Sequence, residues 1–418
     1  MKMLWFHLMP YLDLPEDFRE KNPSVWVTID SGLFDPVRAH AMYNDFMDEL
    51  EYASQVGFDA ICVNEHHSNG YGLMPSPNLI AATLARRTQD TAICVLGNSL
   101  ALYNPPTRVA EEMAMLDCMS GGRLIAGFPV GTPMDTAYAY SQNPSMLRDR
   151  YREAADLVVK AWTTREPFAF NGRFNQQRYV NIWPRPIQQP HPPIWAPGGG
   201  SVETWDWCAQ NDYCFCYLSY NGYKAAQTAM EGFWKVVDKL GKDRNPYRAG
   251  FLQFIGVAES RQQAIDLYTE PAEYFFGRSF HVDPRFAAPP GYTSEETQRA
   301  GLVGQIAMKR RNRGAEKMKE IIDNGYVVIG TPEDVVEQLR EAATELNVGH
   351  LMLLLQYGNM NKELTNYNTR IFAEKVMPEL RGLFSQWEDH WWPRPLPASQ
   401  QQAPAPIGDG ARKGGRNA

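Results

Sequence analysis

The stretch PVRAHAMYNDFMDELEYASQVGFDAICVNEHH, residues 36–67, contains the repeating unit of this chain. Apolar side chains recur at helical spacing through its first part and predict a helix over 36–55. Gly57 predicts the end of that helix, because glycine is common just past a helix C-terminus. The short apolar run at 60–64 then predicts a buried strand, and polar residues follow it directly.

Short apolar runs alternate with longer amphipathic stretches along most of the chain, which is the pattern of strand–helix units around a parallel sheet. Strands are predicted at 3–9, 60–64, 92–96, 123–128, 194–196, 213–219, 250–258 and 350–355. Helices are predicted at 36–55, 78–87, 107–119, 150–163, 261–276, 331–346 and 364–383. The number of units approaches that of a TIM barrel.

Two segments differ from this pattern. The interval 277–313 carries HVDPRFAAPPGY and is predicted to be an insertion. It either covers the barrel mouth as a lid or connects two units across the surface. After Trp392 the chain is poor in apolar residues, so 393–418 is predicted to be a disordered tail. Residues 1–392 are therefore expected to form one domain.

The composition excludes several classes of partner. The chain has 418 residues, 44% of them hydrophobic, and a formal net charge of -7. A negative chain is a poor partner for nucleic acid or an anionic membrane, since both require a basic surface. Six cysteines spread through predicted strands and helices indicate free thiols in a reducing cytoplasm. Neither a secretion signal nor a membrane span is expected.

Glu65, His66 and His67 come directly after the strand predicted at 60–64. In a TIM barrel, residues at the carboxyl ends of strands face the active site. Imidazoles there can carry protons near neutral pH or donate hydrogen bonds to a developing oxyanion. A histidine satisfied within a polar loop is the structural alternative. Metal binding is disfavoured, because adjacent residues on an extended segment point in opposite directions and no HExxH motif is present.

Small residues follow the next two predicted strands. Gly97 and Asn98 follow the strand at 92–96, and Gly131 follows the strand at 123–128. Glycine lets the backbone approach a planar ring closely, so these positions can border a bound cofactor. A loop that needs small residues only to turn is the alternative.

Gly199, Gly200 and Ser201 follow the strand predicted at 194–196 and precede a helical stretch that contains Thr204. Glycine backbone N–H groups and a serine at a helix N-terminus favour an anion, which predicts a phosphate cradle. A plain helix cap with a flexible entry is the alternative. The spacing matches neither a Rossmann dinucleotide fingerprint nor a nucleotide-binding P-loop.

Taken together and in order, the motifs EHH, GN, NPPTRVAEEMAMLDCMSGGR, GFPVG and GGGSVET resemble the bacterial-luciferase-like flavin-dependent monooxygenases over residues 1–383. The resemblance implies a TIM (β/α)8 barrel with insertions at its C-terminal face. It also implies that FMN, reduced by a separate NAD(P)H:flavin reductase, reacts with O2 to form a C4a-hydroperoxyflavin. That species would oxygenate a small organic substrate. A homodimer is the expected assembly.

The resemblance also implies roles for the residues after the second and third strands. His66 matches the active-site histidine, with Glu65 and His67 as its neighbours. Gly97 and Asn98 match a position where the family often has a non-prolyl cis peptide beneath the flavin ring. An apolar, aromatic pocket would exclude water from that ring.

The phosphate of FMN is implied to lie on the triple-glycine turn, at Ser201 and Thr204 with the backbone of Gly199 and Gly200. The candidate aromatic walls of the pocket are Trp26, Phe128 and Tyr357, although core packing is the commoner role of such residues.

One departure from the family pattern concerns phosphate binding. The luciferase pattern has Cys-Arg-Gly after the fourth strand, where this chain has Pro129-Val130-Gly131. An arginine elsewhere, such as Arg148 or Arg150, is the expected replacement.

Three other functions compete with an FMN monooxygenase. Hydride transfer with the deazaflavin F420 uses the same barrel, but its long anionic tail favours basic residues near the cradle. Residues 197–223 contain none, which favours FMN. A catalytically silent flavin-binding barrel has no need of the EHH motif. A metal-dependent hydrolase is the third alternative.

Overall fold

The computed structural model describes residues 1–199, 201–218, 220–300 and 318–402. The strands of these residues are β1 (Lys2–Phe6), β2 (Ala60–Val63), β3 (Ala92–Leu96), β4 (Leu124–Gly127), β5 (Phe168–Asn171), β6 (Gln176–Val180), β7 (Ile194–Gly198), β8 (Cys214–Tyr217), β9 (Ala249–Val257), β10 (Val327–Gly330) and β11 (His350–Leu354).

Eight of these strands are parallel and close into a barrel, in the order β1, β2, β3, β4, β7, β8, β9 and β11. β11 pairs with β1 and completes the ring. These eight correspond to the eight predicted strands, so the prediction of a TIM barrel is confirmed. The register pairs Ala60 of β2 with Ala92 of β3 and Val63 with Val95. The loops that follow these two strands therefore leave the barrel at the same level.

The barrel helices begin and end close to the predicted positions. Pro36–Gln55 has the predicted bounds, and the Asp35 side chain accepts hydrogen bonds from the backbone N–H groups of Val37 and Arg38. The other α-helices are Phe18–Lys21, Pro77–Arg87, Thr107–Ser120, Leu147–Thr163, Val202–Asn211, Gly222–Lys239, Arg261–Tyr274, Pro284–Ala287, Glu295–Ala300, Met318–Asp323, Pro332–Leu346, Lys362–Ile371 and Met377–Leu380. Shorter 3-10 helices lie at Ser31–Leu33, Leu100–Leu102, Pro144–Met146, Pro246–Arg248 and Ala398–Gln400. π-Helical turns lie at Met134–Ala139, Phe275–Ser279 and Phe372–Val376.

A long helix, a hairpin and a short strand are among the elements that were not predicted from the sequence. The helix Gly222–Lys239 buries an apolar face at helical spacing, so its signal was present. The antiparallel hairpin of β5 and β6 carries few buried residues. β10 is short and pairs with the last residues of β9, whose first residues pair with β8. Because β9 has nine residues, one of its edges pairs with the barrel strand β8 along its first residues and with the additional strand β10 along its last residues.

The described part of the insertion, 277–300, packs onto the C-terminal face of the barrel. The Tyr292 hydroxyl donates to the carbonyl of Gly131, 2.6 Å away. The Thr297 hydroxyl donates to Glu203 Oε2 at 2.7 Å. Gly131 and Glu203 follow β4 and β7, so the insertion touches the ends of both strands, as the fold prediction requires. Residues 301–313 lie outside the described residues, and a lid role for the segment stays a prediction.

The C-terminal segment closes the opposite end of the barrel. The Trp195 indole donates to the carbonyl of Trp391 at 2.9 Å, and the backbone N–H of Leu396 donates to the carbonyl of Gly121 at 2.9 Å. The described residues up to 402 therefore contact the barrel, and 403–418 lie outside the described residues. In the described ranges, no helix has both the length and the apolar character that crossing a bilayer requires.

Candidate active site

His66 is held by a buried carboxylate. Its Nδ1 lies 2.8 Å from Asp135 Oδ2, and the side chains are 15% and 2% exposed. Asp135 Oδ1 accepts hydrogen bonds from the backbone N–H of His67 at 2.8 Å and from the Trp26 indole at 3.0 Å. Burial opposes ionisation of Asp135, but the contact with His66 and these hydrogen bonds outweigh it, so the pKa of Asp135 lies below its usual value.

His67 belongs to a second carboxylate–imidazole pair on the other side of the same loop. Its Nε2 lies 2.8 Å from Glu65 Oε1. Glu65 Oε2 accepts from the backbone N–H of Ser99 at 3.0 Å and from the Tyr103 hydroxyl at 3.2 Å. Glu65 therefore ties the EHH loop after β2 to the loop after β3. The two adjacent histidines face different partners, as an extended segment requires.

Aromatic rings surround His66. Trp26 and Tyr71 meet its imidazole edge-on, at centroid distances of 5.2 and 4.9 Å, and stack on each other at 4.5 Å. The Tyr71 hydroxyl contacts that of Tyr220, and burial raises the pKa of Tyr71 well above its usual value. Phe275 lies next to Tyr71 and Tyr220. Aromatic rings thus cover much of the His66 imidazole, which is 15% exposed.

Glycines lie at the carboxyl ends of the next two barrel strands, β3 and β4. The peptide bond between Leu96 and Gly97 is cis, as the resemblance implies. A Cβ built on Gly97 would lie 1.9 Å from the carbonyl oxygen of Gly127, so only glycine fits there. Gly131 has a φ of 91°, and a Cβ on it would meet Ser99 Oγ at 2.7 Å. At both positions a side chain would clash with neighbouring atoms, so the close packing of this part of the barrel mouth requires glycine.

Asn98 is buried beside this edge. Its amide nitrogen donates to the Tyr103 hydroxyl at 2.9 Å, and its Oδ1 has no hydrogen-bond partner among the described residues. A buried acceptor without a partner is costly, so Asn98 is suited to a ligand that offers an N–H group.

Ser201 is the N-cap residue of the helix Val202–Asn211, but its side chain makes no capping hydrogen bond. The prediction that the Ser201 side chain caps this helix is wrong, because its hydroxyl instead donates to Glu203 Oε2 at 2.6 Å. Burial opposes ionisation of Glu203, but hydrogen bonds from Ser201, Ser294 and Thr297 lower its pKa to about 2. Of the described atoms, the nearest to a Cβ built on Gly199 is the carbonyl oxygen of Leu218 at 3.8 Å. Gly200 lies outside the described residues.

Two arginines of the helix Leu147–Thr163 reach the N-terminus of the helix Val202–Asn211. Arg148 Nη1 lies 3.4 Å from Thr204 Oγ1, and Arg148 Nε is buried with no partner among the described residues. Arg152 Nη2 donates to the carbonyl of Glu203 at 2.9 Å. Arg150, the other arginine proposed from the sequence, lies over the Phe174 ring at 5.2 Å. With the Glu203 carboxylate counted, the two arginines leave a net positive charge near the turn.

The histidine loop and the triple-glycine turn lie on the same face of the barrel and are connected. Ser99 binds Glu65 and adjoins Gly131. The insertion contacts Gly131 through Tyr292 and Glu203 through Thr297. Both sites follow carboxyl ends of parallel strands, which is the face where TIM-barrel active sites lie.

The other candidate residues are placed less directly. Trp26 contacts His66, whereas Phe128 stacks on Trp162 in the core at 6.0 Å. Tyr357 is buried against Phe254. In the parts of the chain that the structure covers, no group of three or more His, Cys, Asp or Glu side chains could hold a metal ion.

Sequence reasoning missed Asp135, Tyr103 and Arg152. Asp135 and Tyr103 belong to loops after strands, where polar side chains belong to the active-site face, so position gave a weak signal. Arg152 stands on a helix far along the chain from the glycine turn. Its proximity to Glu203 follows only from the packing of neighbouring units.

The profile of the family described as "Luciferase-like monooxygenase" matches residues 28–348, so the chain belongs to the luciferase-like monooxygenase family. An uncharacterized protein y4wF of Sinorhizobium fredii is 33% identical, over 83% of this chain and 96% of its own length. The oxygenase component of flavin-dependent trigonelline monooxygenase from Acinetobacter baylyi is 26% identical, over 63% of this chain and 77% of its own.

F420-using proteins are also among the relatives. The F420-dependent glucose-6-phosphate dehydrogenase of Intrasporangium calvum is 25% identical, over 81% of this chain and 95% of its own. Among solved structures, the oxygenating constituent of 3,6-diketocamphane monooxygenase from Pseudomonas putida, in complex with FMN, has a TM-score of 0.67. It is 17% identical and covers 91% of this chain and 98% of its own, which shows a shared fold.

Proposed function

We propose that this chain is a flavin-dependent monooxygenase that uses reduced FMN and O2 to oxygenate a small organic substrate. One observation carries the proposal: a histidine set against a buried carboxylate shares a barrel face with two arginines at a helix N-terminus. The edge of the mouth between them is built from glycine backbone. No metal enters the proposal.

The residues present fit the two ends of FMN. At the ring end, Asn98 Oδ1 is a buried acceptor to which no described residue donates, and an isoalloxazine carries an imide N–H. At 97 and 131 a side chain would clash with neighbouring atoms, so this part of the barrel mouth consists of closely packed glycine backbone. At the phosphate end, the buried Nε of Arg148 has no partner in the ranges that the structure describes, and Thr204 offers a hydroxyl beside it. Arg148 thus takes the place of the arginine missing from 129–131.

Bound reduced FMN would supply the two electrons that convert one atom of O2 to water while the other atom enters the substrate. The chain's own residues then have three tasks. His66 holds or transfers a proton at its ring nitrogen that Asp135 does not bind. Trp26 and Tyr71 exclude water from the imidazole. The arginines and the helix N-terminus hold the phosphate.

The proposal includes partners. A relative is named an oxygenase component, which is consistent with electrons delivered by a separate NAD(P)H:flavin reductase. We also expect a homodimer. Light scattering near the monomer mass would contradict the dimer without affecting the assignment of the site.

F420-dependent hydride transfer is the second candidate, because a relative over 81% of the chain uses that cofactor. FMN is favoured because the two arginines and the helix N-terminus match a single phosphate. The longer anionic tail of F420 would need further cations.

A binding comparison tests the assignment. The apoprotein is titrated with FMN, riboflavin, FAD and F420. We expect FMN to bind more tightly than riboflavin, which has the same ring without the phosphate, and more tightly than F420. Photoreduced FMN is then mixed with O2, and H2O2 release is followed with a peroxidase assay. We expect slower release than from free reduced FMN; tight F420 binding without FMN binding would overturn the proposal.

A further inference from the structure

We propose that Asp135 is a positioning residue that fixes His66 in the tautomer with its proton on Nδ1. The remaining ring nitrogen, Nε2, is then the atom that accepts and returns a proton. This inference rests on the proposed function for its purpose, but its physical content concerns only the side chains of the protein.

The hydrogen bonds around Asp135 determine the direction of the bond to His66. Oδ1 faces two groups that can only donate, the backbone N–H of His67 and the indole N–H of Trp26. Oδ2 accepts from the Thr132 hydroxyl at 2.9 Å. A carboxyl group surrounded by donors is ionised, and an ionised carboxylate has no proton to give. His66 Nδ1 must therefore donate across the 2.8 Å contact.

Neighbouring elements hold this geometry from both sides. The backbone N–H of His66 donates to the carbonyl of Met74 at 3.1 Å, which anchors the loop. Asp135 lies in the π-helical turn Met134–Ala139, and the Thr136 hydroxyl donates to the carbonyl of Thr132 at 2.8 Å. The carboxylate is 2% exposed, so water cannot replace its partners.

Fixing the tautomer matters because it decides which ring nitrogen carries the proton. A histidine free to exchange tautomers presents an N–H or a lone pair at Nε2 in proportions set by solvent. With Asp135 ionised, neutral His66 presents only the lone pair at Nε2, and protonated His66 presents an N–H at the same place. Proton transfer is thereby confined to one atom of the ring.

The test reads the tautomer by nitrogen-15 NMR of histidine-labelled protein without flavin, above pH 8. The His66 signals are assigned by their loss in His66→Gln. In the wild type we expect Nδ1 protonated and Nε2 unprotonated. In Asp135→Asn, whose amide can donate to Nδ1, we expect loss of the Nδ1–H form. Thr132→Val is the matched control, because it removes one donor and keeps the carboxylate, and it should retain the wild-type pattern.

Protonation of wild-type His66 at Nε2 would overturn the inference, even if Asp135→Asn failed to fold. So would an Nδ1–H form that persists in a folded Asp135→Asn. Turnover should fall by roughly 10²- to 10⁴-fold in Asp135→Asn, the range of general acid–base effects. Should the tautomer result hold while FMN fails to bind, the proposed function is wrong and the pairing of Asp135 with His66 stands.

Discussion

Replacing Arg148 with methionine tests the phosphate cradle most sharply. Methionine keeps an unbranched apolar stem and removes the guanidinium, whose Nη1 lies 3.4 Å from Thr204 Oγ1. Arg150→Met is the matched control. It stands on the same helix, but its side chain lies over the Phe174 ring, away from the glycine turn.

The expected loss follows from the charges in place. A hydrogen bond to a charged group contributes about 1.5–3 kcal/mol, and each 1.4 kcal/mol is a factor of about ten in affinity. FMN should therefore bind roughly 10- to 150-fold more weakly to Arg148→Met. Arg152, which donates to the backbone carbonyl of Glu203, remains in the variant. Its positive charge and the negative charge of the ionised Glu203 side chain then sum to a formal charge of zero. Riboflavin, which lacks the phosphate, should bind to both variants as it does to the wild type.

Flavin fluorescence titration at fixed ionic strength measures all these dissociation constants. Arg150→Met should stay within about twofold of the wild type for FMN, the size of effect expected for a surface change. The reasoning fails if Arg148→Met binds FMN as tightly as the wild type does. It fails equally if riboflavin and FMN weaken together, because a loss common to both ligands would come from the ring pocket.

Three further substitutions address single side chains. His66→Ala should keep FMN affinity within about twofold and lower oxygen insertion by about 10²-fold or more. The loss should be seen as faster H2O2 release from the reduced flavin. Unchanged H2O2 release would contradict a role of His66 in proton transfer. Thr204→Ala should weaken FMN binding by about 1 kcal/mol in fluorescence titration, and Ser201→Ala by less, because its hydroxyl is held by a carboxylate; the reverse order would count against the cradle geometry. Trp26→Phe removes a hydrogen-bond donor to the Asp135 carboxylate, and Trp162→Phe removes a donor to a backbone carbonyl. In urea unfolding, the first substitution should lower the free energy of unfolding by about 1 kcal/mol more than the second. Equal losses would contradict an ionised Asp135.

The sequence alone determined the barrel and one half of the site. Helical periodicity placed Pro36–Gln55 with both its bounds, and the branched run at 92–96 placed β3. Such signals are local, because a helix or buried strand repeats its pattern within its own residues. The position of EHH directly after β2 placed His66 at the carboxyl end of that strand, the face where TIM-barrel active sites lie. Glycines at 97 and 131 were identifiable because few other residues tolerate close backbone approach.

Tertiary structure alone decided which side chains complete the site. Asp135 reaches His66 across sixty-nine positions of sequence separation, and Arg148 reaches Thr204 across fifty-six. No local pattern encodes those distances. Arg148 and Arg150 could not be ranked in the sequence, since residues two positions apart on a helix differ mainly in the side of the helix on which they lie, and that direction has meaning only once the helix is packed. Charge pairing and tautomer depend on distances of a few ångströms, which only the closed barrel sets.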